Sequence, residues 1–284
     1  MTRLTNALSF DVESFVESNL ESFAIPEAFR ADAAQASELD RNMRFVFDLL
    51  AEHDARATFF FLGTVARRSP ALVAGAARLG HEVASHGDEH RRLLGMDPAT
   101  LRESLRRHKE QLEDLAGVPV QGFRAPEFSI TTRTLWALDV IREVGFTYDS
   151  SVYPTGVHDV YGLAGATPHL HVLENGLVEF PPPTTRVMGR RLPFGGGGYF
   201  RVAPSALTER LIDRTNAGAE PVILWLHPYE VGPAVAEIPG LPPIRRVRHY
   251  ANRRSGAAKL SRLLKGYRFG PAVEVLRERR MVAA

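Results

Sequence analysis

His81-Glu-Val-Ala-Ser-His-Gly-Asp-Glu-His-Arg-Arg92 is the stretch on which the reading of this chain turns. Its first half, Glu82–Ser85, has the length and apolar character of a short buried strand. Its second half carries His86 and His90, with Gly87, Asp88 and Glu89 between them. A spacing of four places two imidazoles on one side of a helical turn, close enough to share a metal ion. The pair would then follow the carboxyl end of a strand, where α/β folds build their sites. An isolated i, i+4 histidine pair is more often a plain polar face, so the decision rests on what the other strands deliver.

Outward from this stretch, strand and helix alternate. Residues 4–10 read as a first strand that leads into Asp11-Val-Glu13, and a helix covers about 36–53. Ala57–Leu62 (ATFFFL) is an apolar run suited to a strand buried on both faces. Pro70 opens a helix that Gly80 closes, Asp97-Pro98 begins another to about 116, and strands follow at 121–125 and 146–150 around a helix at about 131–144. This alternation predicts a parallel sheet with crossover helices. Residues 155–200, with Pro181–Pro183 and Gly195–Gly198, read as loops and a β-hairpin. The glycine run lacks the Lys-Ser/Thr of a phosphate loop. A helix at about 203–217 returns to a strand at 221–226, and two basic helices are expected near 249–266 and 271–280.

The composition, 44% hydrophobic and 24% charged over 284 residues, is that of a globular chain with a sizeable core. No apolar run has the length of a membrane span, and no long apolar segment precedes the first strand. A cytoplasmic protein is therefore expected. Cysteine is absent, so a metal would need nitrogen and oxygen ligands. From Leu241 to Ala284 there are twelve basic and two acidic residues, leaving 23 against 31 in the rest. Such a tail suits peripheral contact with anionic lipid at the inner membrane surface, or a solvated helix face. It lacks the interleaved aromatics of a single-strand nucleic-acid reader, and no nucleic acid is expected.

Asp11, Glu13, His86, His90, Arg124, Asp149 and His227 all lie at or just past the carboxyl ends of the predicted strands. In a barrel of parallel strands these ends share one rim. Glu13, His86 and His90 form the ligand set of a hydrolytic zinc site, with cobalt, nickel or manganese also accepted. Such a metal yields a water nucleophile near neutrality. Asp11 suits the general base, with Arg124 keeping it oriented and ionised. His227 suits a general acid, with Asp149 on its second nitrogen. Taken singly, Arg124 is as readily a structural ion pair, and Asp11, Glu13 and His227 also have bland readings as caps or turn residues. His53, His81, His108, His158, His169, His171 and His249 read as surface or loop residues.

The motifs FDVE (10–13), SHGDEH (85–90), FRAPEF (123–128), YDSSVYP (148–154) and LWLH (224–227) resemble, in order, those of the polysaccharide deacetylases of carbohydrate esterase family 4, the NodB-homology family. GGGYFR (196–201), HPYE (227–230) and residues 248–276 resemble its exosortase- and exopolysaccharide-associated branch. The resemblance implies an α/β fold: a distorted seven-stranded (β/α) barrel over 1–240 with a basic helical extension over 241–284 packed on it. It implies removal of N-acetyl groups from an amino sugar in a glycan, with Asp11 as base, His227 as acid and Glu13, His86 and His90 on the metal; the expected cytoplasmic location adds a lipid-linked saccharide as a substrate expectation. The Tyr153 backbone N–H would serve the oxyanion, and Arg124 and Asp149 would tether base and acid. Two departures stand out. Val12 separates the two acids, which leaves the assignment of base and ligand between Asp11 and Glu13 open, and Gly87 stands where a Ser or Thr is usual. An O-acetyl esterase or allantoinase-like hydrolase on the same scaffold is the first alternative, and a non-catalytic glycan-binding protein the second. Residues 14–33 and 184–200 are candidate covers for the site.

Overall fold

The computed structural model describes residues 4–20, 25–157, 161–241 and 243–283. Its strands are β1 (Thr5–Val12), β2 (Thr58–Phe61), β3 (Glu82–Ser85), β4 (Gly122–Phe123), β5 (Tyr148–Asp149), β6 (His171–Val172), β7 (Val178–Glu179), β8 (Thr184–Val187), β9 (Arg190–Pro193), β10 (Ile223–Leu226) and β11 (Arg268–Gly270). Seven of them run parallel in the order β10-β1-β2-β3-β4-β5-β7, with β6 antiparallel at one edge. Among the described residues the end strands do not pair, so the barrel is an open half-barrel. β8 and β9 form a separate hairpin.

The helices are α1 (Asp32–Glu52), α2 (Gly63–Arg68), α3 (Pro70–Arg78), α4 (Pro98–Ala116), α5 (Ala137–Glu143), α6 (Gly197–Val202), α7 (Ser205–Ala217), α8 (Pro228–Val231), α9 (Pro243–Tyr250), α10 (Gly256–Gly266) and α11 (Ala272–Glu278). Local chemistry fixes several ends. The Asp97 side chain accepts from the N–H groups of Ala99 (3.0 Å) and Thr100 (2.9 Å), Pro98 opens α4, and Gly117 ends it in the left-handed region at φ 69°.

The pleat sorts the strands into two faces. Leu8, Phe10 and Val12 of β1, with Phe59 and Phe61 of β2, enter the large core shared with the outer helices. Ala7 and Phe60, with Ala84, Tyr148, Val178 and Ile223, face inward against Ala272, Val273, Val275 and Leu276 of α11. No strand is expected at 268–270 from the sequence, yet β11 pairs with the first half of β1, Thr5 against Arg268. The Thr58 hydroxyl oxygen and the Glu82 carboxylate accept from the first N–H groups of α11 at 2.7 and 3.0 Å. Part of the 241–284 segment is thus built into the inner face of the sheet.

Candidate metal and catalytic site

The inward register that places Ala7 in the inner core also brings Ser9, Asp11 and Glu13 to one side, since alternate residues of a strand share a face. Their neighbours at the carboxyl rim are His86 after β3, Arg124 after β4 and His227 after β10. Glu13, His86 and His90 converge, with one donor atom of each within 4.8 Å of the others, and all three are buried. The histidine pair does not stand on a helical turn. Residues 86–90 form a loop in which Gly87 has φ +84°, a left-handed conformation that a serine or threonine would enter only with strain. The N–H groups of Gly63 and Thr64, at the start of α2, donate to the carbonyls of Gly87 (3.0 Å) and Asp88 (2.9 Å) and hold the loop. A Cβ on Gly63 would lie 2.1 Å from the Asp88 carboxylate, so that approach requires glycine.

The polar atoms in this group are matched for a cation. His86 Nδ1 lies 2.9 Å from the Arg124 carbonyl, which can only accept, so Nδ1 carries the proton and Nε2 a bare lone pair. That lone pair faces Glu13 Oε2 at 4.0 Å, while His90 Nε2 is 3.1 Å from the same oxygen. Glu13 Oε2 is buried without a hydrogen-bond partner. Burial lowers the pKa of His86 to about 4, in spite of Asp11 nearby, and burial likewise lowers that of His90. Neutral imidazoles beside an orphaned carboxylate oxygen fit a divalent ion.

Asp11 lies next to this group. Burial by itself would raise its pKa, but the Arg124 guanidinium, 2.7 Å away, brings it below the usual carboxylate value. Arg124 is wholly buried. It donates also to Ser9 Oγ (2.9 Å), Ser150 Oγ (2.9 Å) and the Ser150 carbonyl (3.2 Å), and it stacks 4.1 Å over the Phe60 ring. Its donors fix the orientation of Asp11 from below.

His227 is placed as the strand ends predict, but its second partner is not Asp149. Nε2 lies 3.0 Å from Glu13 Oε1, and Nδ1 lies 3.1 Å from Glu230 Oε2. Burial alone would depress this imidazole, yet Glu13 and Glu230 raise its pKa to about 10. Glu230 is itself buried and accepts from the His227 backbone N–H (3.0 Å) and from Arg201 Nε (2.9 Å). Against the burial cost, His227 and Arg201 bring its pKa to about 2. Asp149 stands five strands away from β10 and turns to Ser151, accepting from its hydroxyl at 2.6 Å and its N–H at 3.0 Å. Glu230 reaches His227 because Pro228 opens a single helical turn that returns its third residue to the cap. The segment held by Asp149 and Ser151 leads to Val152, whose N–H donates to Glu179 (3.1 Å). It then reaches Tyr153, whose own N–H has no acceptor among the described residues.

Several site-related residues escape the sequence reading. Glu230 and Arg201 sit within the quoted HPYE and GGGYFR stretches without a role there. His108 is buried on α4, with Nδ1 3.0 Å from Ser85 Oγ, which also accepts the Gly87 N–H at 3.2 Å. Its place on the Leu101-Leu105-His108-Leu112 stripe is the signal that would have found it. His81 is likewise buried, stacked 5.5 Å from Phe47. His158 and residues 21–24 of the first candidate cover lie outside the described residues. Gly196 and Gly197 press against Trp225, and a Cβ on Gly196 would lie 2.1 Å from its indole.

Residues 33–148 match a family model described as polysaccharide deacetylase, and residues 150–277 match a domain of unknown function, DUF3473. A peptidoglycan-N-acetylglucosamine deacetylase of Bacillus cereus is 29% identical over 130 residues, 44% of this chain and 47% of that protein. A chitooligosaccharide deacetylase of a Bradyrhizobium species is 37% identical over 60 residues, 21% of this chain and 27% of that protein. The chain thus spans less than half the length of these curated relatives. A crystal structure assigned as a polysaccharide deacetylase of Mycobacterium smegmatis superposes with a TM-score of 0.61 at 25% identity, covering 96% of this chain and 89% of that one. An allantoinase shares the fold, with a TM-score of 0.63 at 17% identity and coverage of 96% and 88%.

Proposed function

We propose that this member of the polysaccharide deacetylase family is a metal-dependent hydrolase that removes N-acetyl groups from an N-acetylated amino sugar in a glycan or its precursor. The observation that carries the metal is the orphaned Glu13 Oε2 facing the Nε2 atoms of His86 and His90. Zinc is the first choice for an all-nitrogen-and-oxygen set, with cobalt, nickel or manganese as substitutes. A divalent ion held there supplies Lewis acidity and a water of lowered pKa.

The chain's own groups do the rest. Asp11, held ionised by Arg124, takes a proton from the attacking water as it adds to the amide carbonyl. The free N–H of Tyr153 donates to the developing oxyanion. His227, held against the Glu230 carboxylate, gives a proton to the departing amine as the C–N bond breaks, leaving acetate and a free amino sugar. The DUF3473 stretch thereby contributes the acid, His227, and its support, Glu230 and Arg201, to a site whose base and metal ligands lie earlier in the chain.

The test is metal content and acetate release measured together, on wild type and on His86→Ala, with chitooligosaccharides as the amide substrate and acetylated xylan as the ester control. Acetate from the amide, lost with the metal in the variant, supports this reading. Acetate from the xylan alone replaces it with an esterase, and a protein that takes up no metal refutes the site.

A further inference from the structure

The β8–β9 hairpin carries three features that the fold does not need. Arg186 and Arg191 stand directly opposite each other across the two strands. Like charges in that position destabilise a hairpin. Neither they nor Arg190 has a carboxylate partner among the described residues, although surface arginines elsewhere in the chain are paired, as Arg102 is with Glu143. At the turn, Met188 has φ 47° and Gly189 φ 81°. This is the two-residue geometry that favours asparagine or glycine, yet the first position holds a long apolar side chain that is 99% exposed. Val187 and Leu192 beside it are also exposed.

The arm is rooted at the rim of the site. The Thr155 hydroxyl donates to the Arg191 carbonyl (2.8 Å), two residues past Tyr153. Its far end runs into Gly195, whose carbonyl accepts the Trp225 N–H (3.2 Å), two residues before His227.

We propose that this hairpin docks the protein on an anionic bilayer, Met188 and Val187 entering the interface while Arg186, Arg190 and Arg191 meet lipid phosphates. Aliphatic side chains at the tip favour lipid over a polysaccharide, since a glycan surface offers them no apolar phase, whereas arginines flanking an apolar tip match a charged interface. Docking through an arm rooted beside Tyr153 and His227 would hold the site near the membrane, where a saccharide carried on lipid could reach it. The surface differs from the basic 241–284 segment, and the inference does not depend on which bond the site hydrolyses.

Co-sedimentation of the full chain with phosphatidylcholine vesicles, with and without phosphatidylglycerol, tests it. Binding is expected only to the phosphatidylglycerol vesicles and to weaken with added salt. Each arginine near an anionic surface is worth about fivefold in binding, so R186S/R191S should bind about 25-fold more weakly. That variant relieves a repulsive pair, so its circular dichroism should match wild type. Met188→Ser should weaken binding about tenfold through the loss of apolar burial alone. Four outcomes overturn the proposal: no vesicle binding, equal binding by the hairpin variants, loss confined to an R246S/V247S variant of α9, or binding to soluble polygalacturonate in preference to vesicles.

Discussion

Replacing Glu230 by glutamine tests the structure's assignment of the carboxylate behind His227. The side chain keeps its shape and one oxygen, so the two donors of His227, at 3.0 and 3.1 Å, retain an acceptor. Arg201, 2.9 Å from the other oxygen and buried, then faces an amide in place of the Glu230 carboxylate. Removing one partner of a buried ion pair costs about 3–5 kcal/mol; the surviving bond from Arg201 to the Ala251 carbonyl places E230Q near the lower end, at about 3 kcal/mol. The catalytic effect is separate. Without Glu230 the imidazolium loses one of the two carboxylates that keep it charged, and general-acid catalysis is worth about 10²–10⁴-fold. With an N-acetylated chitooligosaccharide, kcat should fall about 10²–10³-fold. With 4-nitrophenyl acetate, whose leaving group needs no proton, it should change by less than about threefold. Steady-state kinetics on both substrates, at a temperature where circular dichroism shows E230Q fully folded, make the comparison. Equal losses on the two substrates, or an unchanged kcat on the amide, would refute the argument. Asp149→Asn, which touches Ser151 and not His227, should leave the ratio of the two activities unchanged.

His108 should make the protein acid-sensitive. Burial lowers its pKa to about 3 against 6.5 when unfolded, so its contribution is fully present above pH 6.5 and is lost as pH falls toward 3. At pH 5 the loss is about 2 kcal/mol, and His108→Gln should flatten the fall in unfolding free energy, read from urea titrations at pH 7 and pH 5, by about that amount. An unchanged pH slope would place a charged imidazole in the native protein. Gly196→Ala should cost about 1–3 kcal/mol, read as a lower melting temperature, because its methyl group collides with the Trp225 indole. A variant as stable as wild type would show that the glycine loop can retreat from the ring.

Much of the architecture was written in local signals. Pro70, Gly80 and Asp97-Pro98 mark helix ends by their own chemistry, and the apolar run at 57–62 marks a buried strand. Glu82–Ser85 is both the predicted and the observed strand. The converging strand ends likewise led to Asp11, Glu13, His86, His90, Arg124 and His227, which the structure brings together. What local patterning missed depends on distance or on single backbone angles. The Gly87 conformation turns an apparent helical pair into a loop pair. The choice of Glu230 over Asp149 follows from which strands are neighbours, and an i+3 capping contact outranks a carboxylate five strands away. β11 has three residues, too few to show a period, and declares itself only by lying against β1.

That last pairing bears on how the protein is made. β1 carries Asp11 and leads to Glu13, yet its neighbours are residues 58–61, 223–226 and 268–270. Two of the three contacts lie more than 200 positions downstream, so ring closure must precede any reward from them. At about 5–20 residues per second of synthesis, the strand waits roughly 10–50 seconds for its last partners. During that interval its eight residues, all of them buried in the finished fold, are an exposed edge. Protection of this nascent strand, by a chaperone or by the speed of translation itself, should therefore raise the yield of active protein.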